Sequence, residues 1–354
     1  MLKRIFSRTP KTHQVYVEPF GISLTVDARE TILKAALKAG LAYPHECQVG
    51  ACSSCKTLLL EGDIKPLTDF AYTLDMEEMR GGYILACQSL AKSDLKIRVT
   101  SLDDGLDMIP ARNIKGKLTS VSDLTRDILH VRIALDEPLD YYAGQYANLS
   151  VPGVEGSRSY SFAEAPRSDG SDDLSFHVRL IPDGEVSSWF AAGDRVGATL
   201  GVEGPFGVFR LRESSVPILC IAGGSGMAPI KAMLEAGRQV GLSRPVVYLY
   251  GARTRADLYE DALVETLTKR WAGPIRFLPV LSEEPEDSDW QGARGLVTDF
   301  IAAVNEFKLQ GCQAYLCGPP GMIDAALPTL MNAGVRGRDI YFDKFIDRSH
   351  SPRQ

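Results

Sequence analysis

The chain has 354 residues, of which 45% are hydrophobic and 24% are charged, and its formal net charge at pH 7 is −6. Such a length accommodates about two or three folded domains, and the negative charge argues against nucleic acid as a partner. No stretch approaches the roughly 18 apolar residues that a membrane-spanning helix needs, and the basic start lacks the apolar core of a secretory signal. We therefore expect a multidomain cytoplasmic protein that does not span a membrane.

The first hundred residues have the pattern of a small α+β unit. Apolar and polar residues alternate over 13–25 around a Pro-Gly turn, which predicts a strand hairpin. Asp27 and Glu30 resemble a capping box before a helix over 31–39. Two further strands are predicted later in this unit, at Lys56–Leu60 and Leu95–Val99.

A loop between the helix and the next strand carries three cysteines. Cys47, Cys52 and Cys55 are spaced C-x4-C-x2-C, and Cys87 lies well beyond them. This spacing is that of plant-type [2Fe-2S] ferredoxins, in which a tight loop supplies three thiolates and a distant segment supplies the fourth. Gly50 and its small neighbours would let backbone N–H groups turn toward the cluster sulfurs. The alternative is a structural zinc site, although zinc ligands usually come in two short pairs.

The middle of the chain changes to short strand-like runs with little helix. Residues 101–112 have no sustained period, which predicts a linker between domains over 13–100 and 113–212. The runs that follow predict an antiparallel barrel. They are Gly116–Ser120, Ile128–Ile133, Gln145–Val151, Leu174–Ile181 and Ala198–Gly201.

The last third, over 213–346, alternates apolar strands with helical stretches, which predicts a parallel sheet with flanking helices. The predicted strands are Pro217–Ala222, Val246–Tyr250, Ile275–Leu281, Ala314–Cys317 and Ile340–Phe342. The predicted helices are Ala228–Val240, Ala256–Trp271 and Met322–Ala333.

Three short motifs could hold a flavin and a nicotinamide cofactor. In the run Arg158–Ser161 (RSYS), an arginine can neutralise a pyrophosphate and a tyrosine can stack on a flat ring. The Gly-rich turn over 223–229 and the second one over 317–322 each connect a strand to a helix, so both lie at the strand ends where ligands bind in such sheets. Taken singly, the RSYS run is better explained as an exposed strand edge, and a Gly-rich turn is only a modest signal that a packing turn would also give. Cys317 is equally compatible with a buried strand position.

In order, these motifs resemble those of the reductase components of bacterial multicomponent oxygenases. The order is C-x4-C-x2-C…C, then RSYS, then GGSGMAP, then CGPPGM, and the resemblance covers about 15–345. Stretches such as SYSFAEAP and YLCGPPGMIDAA are similar to the electron-transfer components of xylene monooxygenases. The resemblance implies a β-grasp ferredoxin domain, an antiparallel β-barrel flavin domain and an α/β parallel-sheet nicotinamide domain. It also implies a [2Fe-2S] cluster, FAD and NADH as cofactors.

The resemblance assigns a role to each site residue. The expected cluster ligands are Cys47, Cys52, Cys55 and Cys87. The expected flavin residues are Arg158, Ser159, Tyr160, Ser161, His177, Val178, Gly184, Val186 and Ser187, and the expected nicotinamide residues are Gly223, Gly224, Gly226, Cys317 and Gly318. Ser161, Cys317 and Phe345 are expected at the point of hydride transfer, with Phe345 covering the flavin.

These expectations define an electron-transfer enzyme that passes electrons from NADH through FAD and the cluster to a terminal oxygenase or hydroxylase, membrane-bound or reached through its ferredoxin. The protein would then work in the cytoplasm, or at the inner membrane face through its partner. One alternative keeps the electron chain but serves a sugar-deoxygenating enzyme, and another is a redox-sensing binding module without turnover.

Charged segments leave three questions open. Arg253 and Arg255 could meet the 2′-phosphate of NADPH, although ordinary loop charge is favoured. The acidic segment Asp69–Arg80 could dock a basic partner surface or be a solvated face. The basic residues near the start could touch an anionic membrane, but a frayed tail is favoured.

Overall fold

The computed structural model divides into two compact units, Met1–Ala111 and Arg112–Gln354. Residues 11–41, 43–45, 48, 50, 53–100, 109–259 and 261–346 are described, with residues 261–263 described by backbone alone. Within these ranges no helix is long and apolar enough to cross a membrane. Most of the linker predicted over 101–112 and the basic start of the chain lie outside the described residues.

The first unit is a five-stranded sheet covered by a short helix. Its elements are β1 Thr12–Glu18, β2 Ile22–Asp27, α1 Ile32–Lys38, β3 Lys56–Glu61, β4 Ile64–Pro66, α2 Met76–Arg80, β5 Tyr83–Leu85, β6 Ser89–Ala91 and β7 Leu95–Val99, with 3₁₀ turns at Phe70–Tyr72 and Ala86–Gln88. The strand order is β2-β1-β7-β3-β5, and β1 and β7 run parallel. Alternate residues of β1 and β2, such as Val15, Val17 and Val26, are fully buried beneath α1, as period-two patterning requires.

The helix start differs from the sequence prediction. The side chain of Thr31, not Asp27, caps α1 by accepting a hydrogen bond from the backbone N–H of Lys34. Asp27 is the last residue of β2, where it pairs with Thr12, and its carboxylate accepts a hydrogen bond from the N–H of Arg29. The predicted capping box was wrong because the strand continues through its first residue.

The second unit begins with a six-stranded antiparallel sheet. Its elements are β8 Arg112–Thr125, β9 Ile128–Leu139, β10 Tyr146–Ser150, β11 Arg158–Ser161, β12 Ser171–Arg179, α3 Glu185–Ala191 and β13 Thr199–Phe206. The strand order is β11-β10-β13-β8-β9-β12. A bridge between Phe162 and Phe176 joins the two outermost strands, so the sheet curls toward a barrel around a core that includes Leu118, Val131 and Leu149. The antiparallel strands agree with the prediction.

A parallel sheet with helices forms the rest of the second unit. Its elements are β14 Ile218–Gly223, α4 Met227–Gln239, β15 Val246–Ala252, α5 Asp261–Arg270, β16 Ile275–Leu281, β17 Ala293–Arg294, β18 Gln313–Gly318, α6 Pro320–Asn332 and β19 Ile340–Lys344. Short 3₁₀ segments lie at Gly224–Gly226, Arg255–Asp257, Val297–Ala303, Leu309–Gly311 and Gly337–Asp339. The strand order is β17-β16-β15-β14-β18-β19, so the chain changes direction across the sheet between β14 and β18. Ligands bind at such a point in parallel sheets.

The prediction for this sheet was close, with two differences. The helix expected over 256–271 is a 3₁₀ turn followed by the shorter α5, because Thr254 and Asp257 form a local capping box that closes the turn first. The edge strand β17 was missed because its two residues carry no periodic signal. Cys220, expected as a core residue, is fully buried in β14.

Candidate functional site

Two of the four cysteines expected to bind a cluster lie in the described part of the chain. Cys55 precedes β3 and Cys87 follows β5, and both are buried. These strands are antiparallel, and the N–H of Ala86 donates to the carbonyl of Cys55 at 3.2 Å, so the two cysteines lie at the same end of the strand pair. Cys47 and Cys52 lie outside the described residues.

The loop around these cysteines has the backbone of a tight turn. Gln48, Gly50 and Ser53 all have positive φ, at 54°, 82° and 57°. A Cβ on Gly50 would lie 2.7 Å from Cγ of Gln88, whose side-chain amide donates to the carbonyl of Gln48 at 3.1 Å. The hydroxyl of Thr73 donates to the carbonyl of Gly50. Buried thiols beside a tightly turned loop suit an iron–sulfur cluster, although no three His, Cys, Asp or Glu side chains converge within the described ranges.

The RSYS run forms β11, and its four residues have different surroundings. The guanidinium of Arg158 lies 3.7 Å from the carboxylate of Glu185, at the start of α3, which brings it near Gly184. The hydroxyl of Ser159 donates to Asn148 at 2.8 Å. The half-buried ring of Tyr160 meets Phe190 edge-on, and burial raises the pKa of its phenol. Arg158 is close enough to Tyr160 to oppose that rise, and Ser161 is buried.

Other predicted flavin residues, Val178, Val186 and Ser187, are buried and pack within the barrel or its adjoining turn. Val178 and Val186 are fully buried in the barrel core. The hydroxyl of Ser187 donates to the carbonyl of Gly184 at 3.0 Å and accepts from the N–H of Ile181 at 3.3 Å, so its own turn uses it. The backbone of this turn is what these predicted residues offer to a phosphate.

The two Gly-rich turns lie against each other at the end of the parallel sheet. Ala222 pairs with Cys317 between β14 and β18. A Cβ on Gly226 would lie only 2.1 Å from the carbonyl oxygen of Cys317, so only glycine allows this approach. Gly318, at φ 145°, would bring a Cβ to 3.0 Å from the carbonyl oxygen of Gly223. We call the two packed turns the cradle. Its close packing requires glycine, and backbone that carries no side chains suits the approach of a pyrophosphate.

Tyrosines from the parallel sheet orient the first of these turns. The carbonyl of Gly224, which has φ 55°, accepts hydrogen bonds from the hydroxyls of Tyr259 at 2.9 Å and Tyr250 at 3.2 Å. Tyr259 also contacts His177 of the barrel strand β12, with its hydroxyl 3.4 Å from Nδ1 and the rings edge-to-face. His177 therefore joins the flavin barrel to the nicotinamide turn.

An aspartate that the sequence prediction did not include lies at the centre of the site. Asp343 pairs with Cys317 between β19 and β18, and its side chain lies near that of Ser161. Burial raises the pKa of Asp343 to about 7. The N–H of Phe345 donates to the carbonyl of Gly318 at 2.9 Å. Cys317 and Phe345 therefore lie at the same end of the parallel sheet as Asp343, and Ser161 approaches them from the barrel.

Charged residues join the barrel to the parallel sheet beside the site. The carboxylate of Asp127, between β8 and β9, lies 2.7 Å from Arg253 and 3.4 Å from Arg179. Arg126 lies 3.0 Å from Asp257. Arg253, considered for a 2′-phosphate, is therefore already paired. The guanidinium of the other candidate, Arg255, lies 3.1 Å from Asp289.

The acidic segment Asp69–Arg80 uses part of its charge internally. Asp69 caps a 3₁₀ turn, and Asp75 forms a capping box with Glu78 at the start of α2. Glu78 also contacts Lys56. Glu77 is exposed, so it is the side chain of this segment best placed to meet a partner.

Three family models match successive parts of the chain. The 2Fe-2S iron-sulfur cluster binding domain matches residues 15–92. The oxidoreductase FAD-binding domain matches residues 115–211, and the oxidoreductase NAD-binding domain matches residues 220–327. The four motifs found in the sequence fall within these matches in the expected order: the cysteine motif in the first, RSYS in the second and both Gly-rich turns in the third.

Whole-length relatives share the same arrangement. The xylene/toluene monooxygenase electron transfer component of Pseudomonas putida is 39% identical over 340 residues, which cover 96% of this chain and 95% of that protein. The reductase component of phenol 2-monooxygenase from a Pseudomonas species is 35% identical, with 94% of each chain covered. The crystal structure of a cytochrome P450 reductase of Amycolatopsis has a TM-score of 0.82 at 32% identity and covers 94% of this chain and 99% of that one. The ferredoxin reductase of carbazole 1,9a-dioxygenase has a TM-score of 0.74 at 30% identity, with 96% and 100% covered.

Proposed function

The chain belongs to the family of reductase components of multicomponent oxygenases, and from this membership we propose how its own residues carry electrons from NADH to an oxygenase. It is an iron–sulfur flavoprotein reductase that uses a [2Fe-2S] cluster, FAD and NADH. When bound, FAD accepts two electrons as hydride and releases them singly, and the cluster passes single electrons onward. The observation that supports the proposal is the pairing of Cys317 with Asp343 where β18 and β19 end, with the side chain of Ser161 near that of Asp343 and the N–H of Phe345 bonded to the carbonyl of Gly318.

We assign the residues of the second unit by their surroundings. Arg158 and the backbone at Gly184 lie where a pyrophosphate of FAD would be neutralised, and the ring of Tyr160 offers a face for the flavin. The hydroxyl of Ser161 would meet the flavin ring, with the carboxyl group of Asp343 near that hydroxyl. Phe345, tied to the second Gly-rich turn through Gly318, would cover the flavin when nicotinamide is absent.

The remaining predicted residues take supporting roles in this proposal. Ser159, His177, Val178, Val186 and Ser187 shape the flavin site, and Gly223, Gly224, Gly226, Cys317 and Gly318 form the nicotinamide cradle. Cys47, Cys52, Cys55 and Cys87 are the proposed cluster ligands. The proposed domains are a β-grasp ferredoxin domain over 13–100, a linker over 101–112, a flavin barrel over 113–212 and a nicotinamide domain over 213–346.

The proposed client is the terminal component of an aromatic or hydrocarbon oxygenase. The support is the similarity to a xylene/toluene monooxygenase component over nearly the whole chain. The client could be membrane-bound or reached through its own ferredoxin, and the proposed location is the cytoplasm, where thiolate ligands stay reduced.

The test separates the electron chain from its client. Purified protein should reduce both ferricyanide and cytochrome c with NADH, and mild removal of the cluster should abolish only the cytochrome c activity. Rapid turnover would exclude a sensing module, and NADH oxidation that is absent with both acceptors would contradict the proposal. Reconstitution with candidate oxygenase components, scored by hydroxylated toluene or xylene, would then identify the client, whereas activity only with a sugar-deoxygenating enzyme would overturn the oxygenase assignment.

A further inference from the structure

A buried ion pair joins the nicotinamide side of the second unit to the flavin strand. Lys231 and Glu235 lie one turn apart on α4, with Nζ of the lysine 3.1 Å from the carboxylate. Lys231 is only 7% exposed. Burial raises the pKa of Glu235, and the nearby lysine opposes the shift. Both charges have therefore been taken largely out of water.

This pair grips the segment that follows Ser161. Nζ of Lys231 donates to the carbonyl of Ala163 at 2.9 Å. The carboxylate of Glu235 accepts from the N–H of Ala165 at 3.3 Å. Lys231 thus binds the backbone just before Glu164, and Glu235 binds it just after. Together they fix the path of the backbone at Glu164.

The segment from Ser161 to Ala163 is also held by backbone hydrogen bonds and by packing, so we expect a shift of Ala163 to move Ser161 as well. The N–H of Phe162 donates to the carbonyl of Gln145 at 3.0 Å, and the N–H of Ala163 donates to the carbonyl of Ser175 at 2.8 Å. The ring of Phe162 is fully buried and stacks on Tyr141 with centroids 3.9 Å apart.

The other end of the connection is the cofactor cradle. Helix α4 begins at Met227, directly after the turn Gly224–Gly226, so Lys231 lies one helical turn from the proposed nicotinamide site. One short helix segment therefore connects the turn that would receive NADH to the strand that would hold the flavin.

A contribution to stability alone does not account for this arrangement. Taking two opposite charges out of water costs about as much as their attraction returns, and apolar side chains of similar volume often serve stability as well or better. A buried pair with hydrogen bonds to a defined backbone segment instead specifies one geometry. Hydride transfer depends strongly on such geometry, because the reacting atoms must lie within about 3.5 Å.

We propose that Lys231 and Glu235 are positioning residues for hydride transfer, which hold Ser161 and the flavin strand at a set distance from the nicotinamide cradle. The proposal rests on the proposed function, because it assumes that NADH reduces a flavin at Ser161. Neither side chain is assigned a contact with a cofactor.

The test is anaerobic stopped-flow reduction of the flavin by NADH in the full-length protein with its cofactors. Lys231→Met keeps the chain length and removes the donor. It should lower the limiting rate of flavin reduction about 10-fold to 100-fold, with FAD content retained and the apparent Kd for NADH changed less than about 3-fold. Lys231→Arg, which keeps a charged donor, should recover most of the rate.

The chain offers a matched control on the neighbouring helix. Lys269 and Glu265 also lie four residues apart, on α5, but both are well exposed. Lys269→Met should leave the limiting rate unchanged. A purely structural role predicts that Lys231→Met lowers the unfolding temperature while the limiting rate stays at that of Lys269→Met, and this result would overturn the proposal.

A second variant covers the case in which Lys231→Met does not fold. Glu235→Gln keeps an acceptor for Ala165 but removes the partner charge of Lys231, and it should lower the limiting rate about 5-fold or more. An unchanged rate in folded, flavin-loaded Glu235→Gln would overturn the proposal equally. Failure of the wild-type flavin to accept electrons from NADH would instead contradict the proposed function, so the two failures are distinguishable.

Discussion

The cluster loop and the hydride-transfer site are assembled in different ways. Cys55 and Cys87 flank two short strands that pair antiparallel within the first, small unit of the chain. The site around Ser161 instead collects residues from the barrel and from β18 and β19, so that Asp343 reaches it from far along the sequence. A metal site of the first kind can be recognised from spacing, whereas a site of the second kind depends on long-range packing that spacing does not record.

The largest expected effect separates the two regions completely. Cys87→Ser should lower NADH-dependent cytochrome c reduction by about 100-fold or more, because the route through the cluster is lost. Ferricyanide reduction should persist, since the hydride-transfer site is built without this residue. Cys312→Ala, which changes a buried cysteine of the nicotinamide domain, serves as the control. Loss of both activities in a variant that keeps its flavin would show that the regions are not separable.

The next effect is confined to the second region. Gly226→Ala should lower kcat/KM for NADH by about 10-fold to 100-fold, because its Cβ would lie 2.1 Å from the carbonyl of Cys317 and force the two turns apart. Iron and sulfide content should not change.

The second Gly-rich turn supplies the matched control. A Cβ on Gly321 would meet nothing within 4 Å, and alanine favours helix there by up to about 1 kcal/mol. Gly321→Ala should therefore leave steady-state kinetics unchanged. Equal kinetics in the two variants would contradict the close approach of the turns.

The buried carboxyl group of Asp343 gives a pH signature. Its pKa is raised from 3.8 to about 7, so the folded protein holds the proton more tightly than the unfolded chain. This contribution to stability is present in full below about pH 4 and is lost progressively as the pH rises to about 7.

Asp343→Asn should remove this pH-dependent loss of stability, because asparagine does not titrate. Relative to the variant, the wild-type free energy of unfolding should fall by about 3 kcal/mol between pH 4.5 and pH 7.5, as measured by urea unfolding of the two proteins. Parallel stability curves for wild type and variant would show that the carboxyl group is not held in its protonated form.

The smallest effect concerns the choice of nicotinamide cofactor. Arg255 lies 3.1 Å from Asp289, and this exposed pair should weaken its attraction for a 2′-phosphate. Asp289→Asn should raise the ratio of kcat/KM for NADPH over NADH by about 3-fold, while NADH stays the better substrate. Asp169→Asn, at an exposed arginine pair on the barrel, should leave the ratio unchanged. A ratio unaffected by Asp289→Asn would place the 2′-position away from Arg255.

The sequence analysis succeeded where local patterns carry the information. The alternating residues of β1 and β2 and the strand-to-helix position of both Gly-rich turns were predicted correctly, because each is defined by neighbours in the chain. It missed Asp343, and it assigned the α1 cap to Asp27, because a strand end and a cross-sheet pair depend on contacts that form only in the folded chain. The hydrogen bond from Lys231 to the carbonyl of Ala163 also forms only in the folded chain, so the sequence did not predict it.

The central claim is that both regions belong to one electron path, and an anaerobic absorbance titration of the purified protein with NADH tests it most directly. Assays of iron, sulfide and flavin on the same sample define what is being titrated. We predict an FAD and a two-iron cluster per chain, with the flavin and cluster bands bleaching together as NADH is added. A cluster band that stays oxidised while the flavin bleaches, or zinc in place of iron, would contradict the claim.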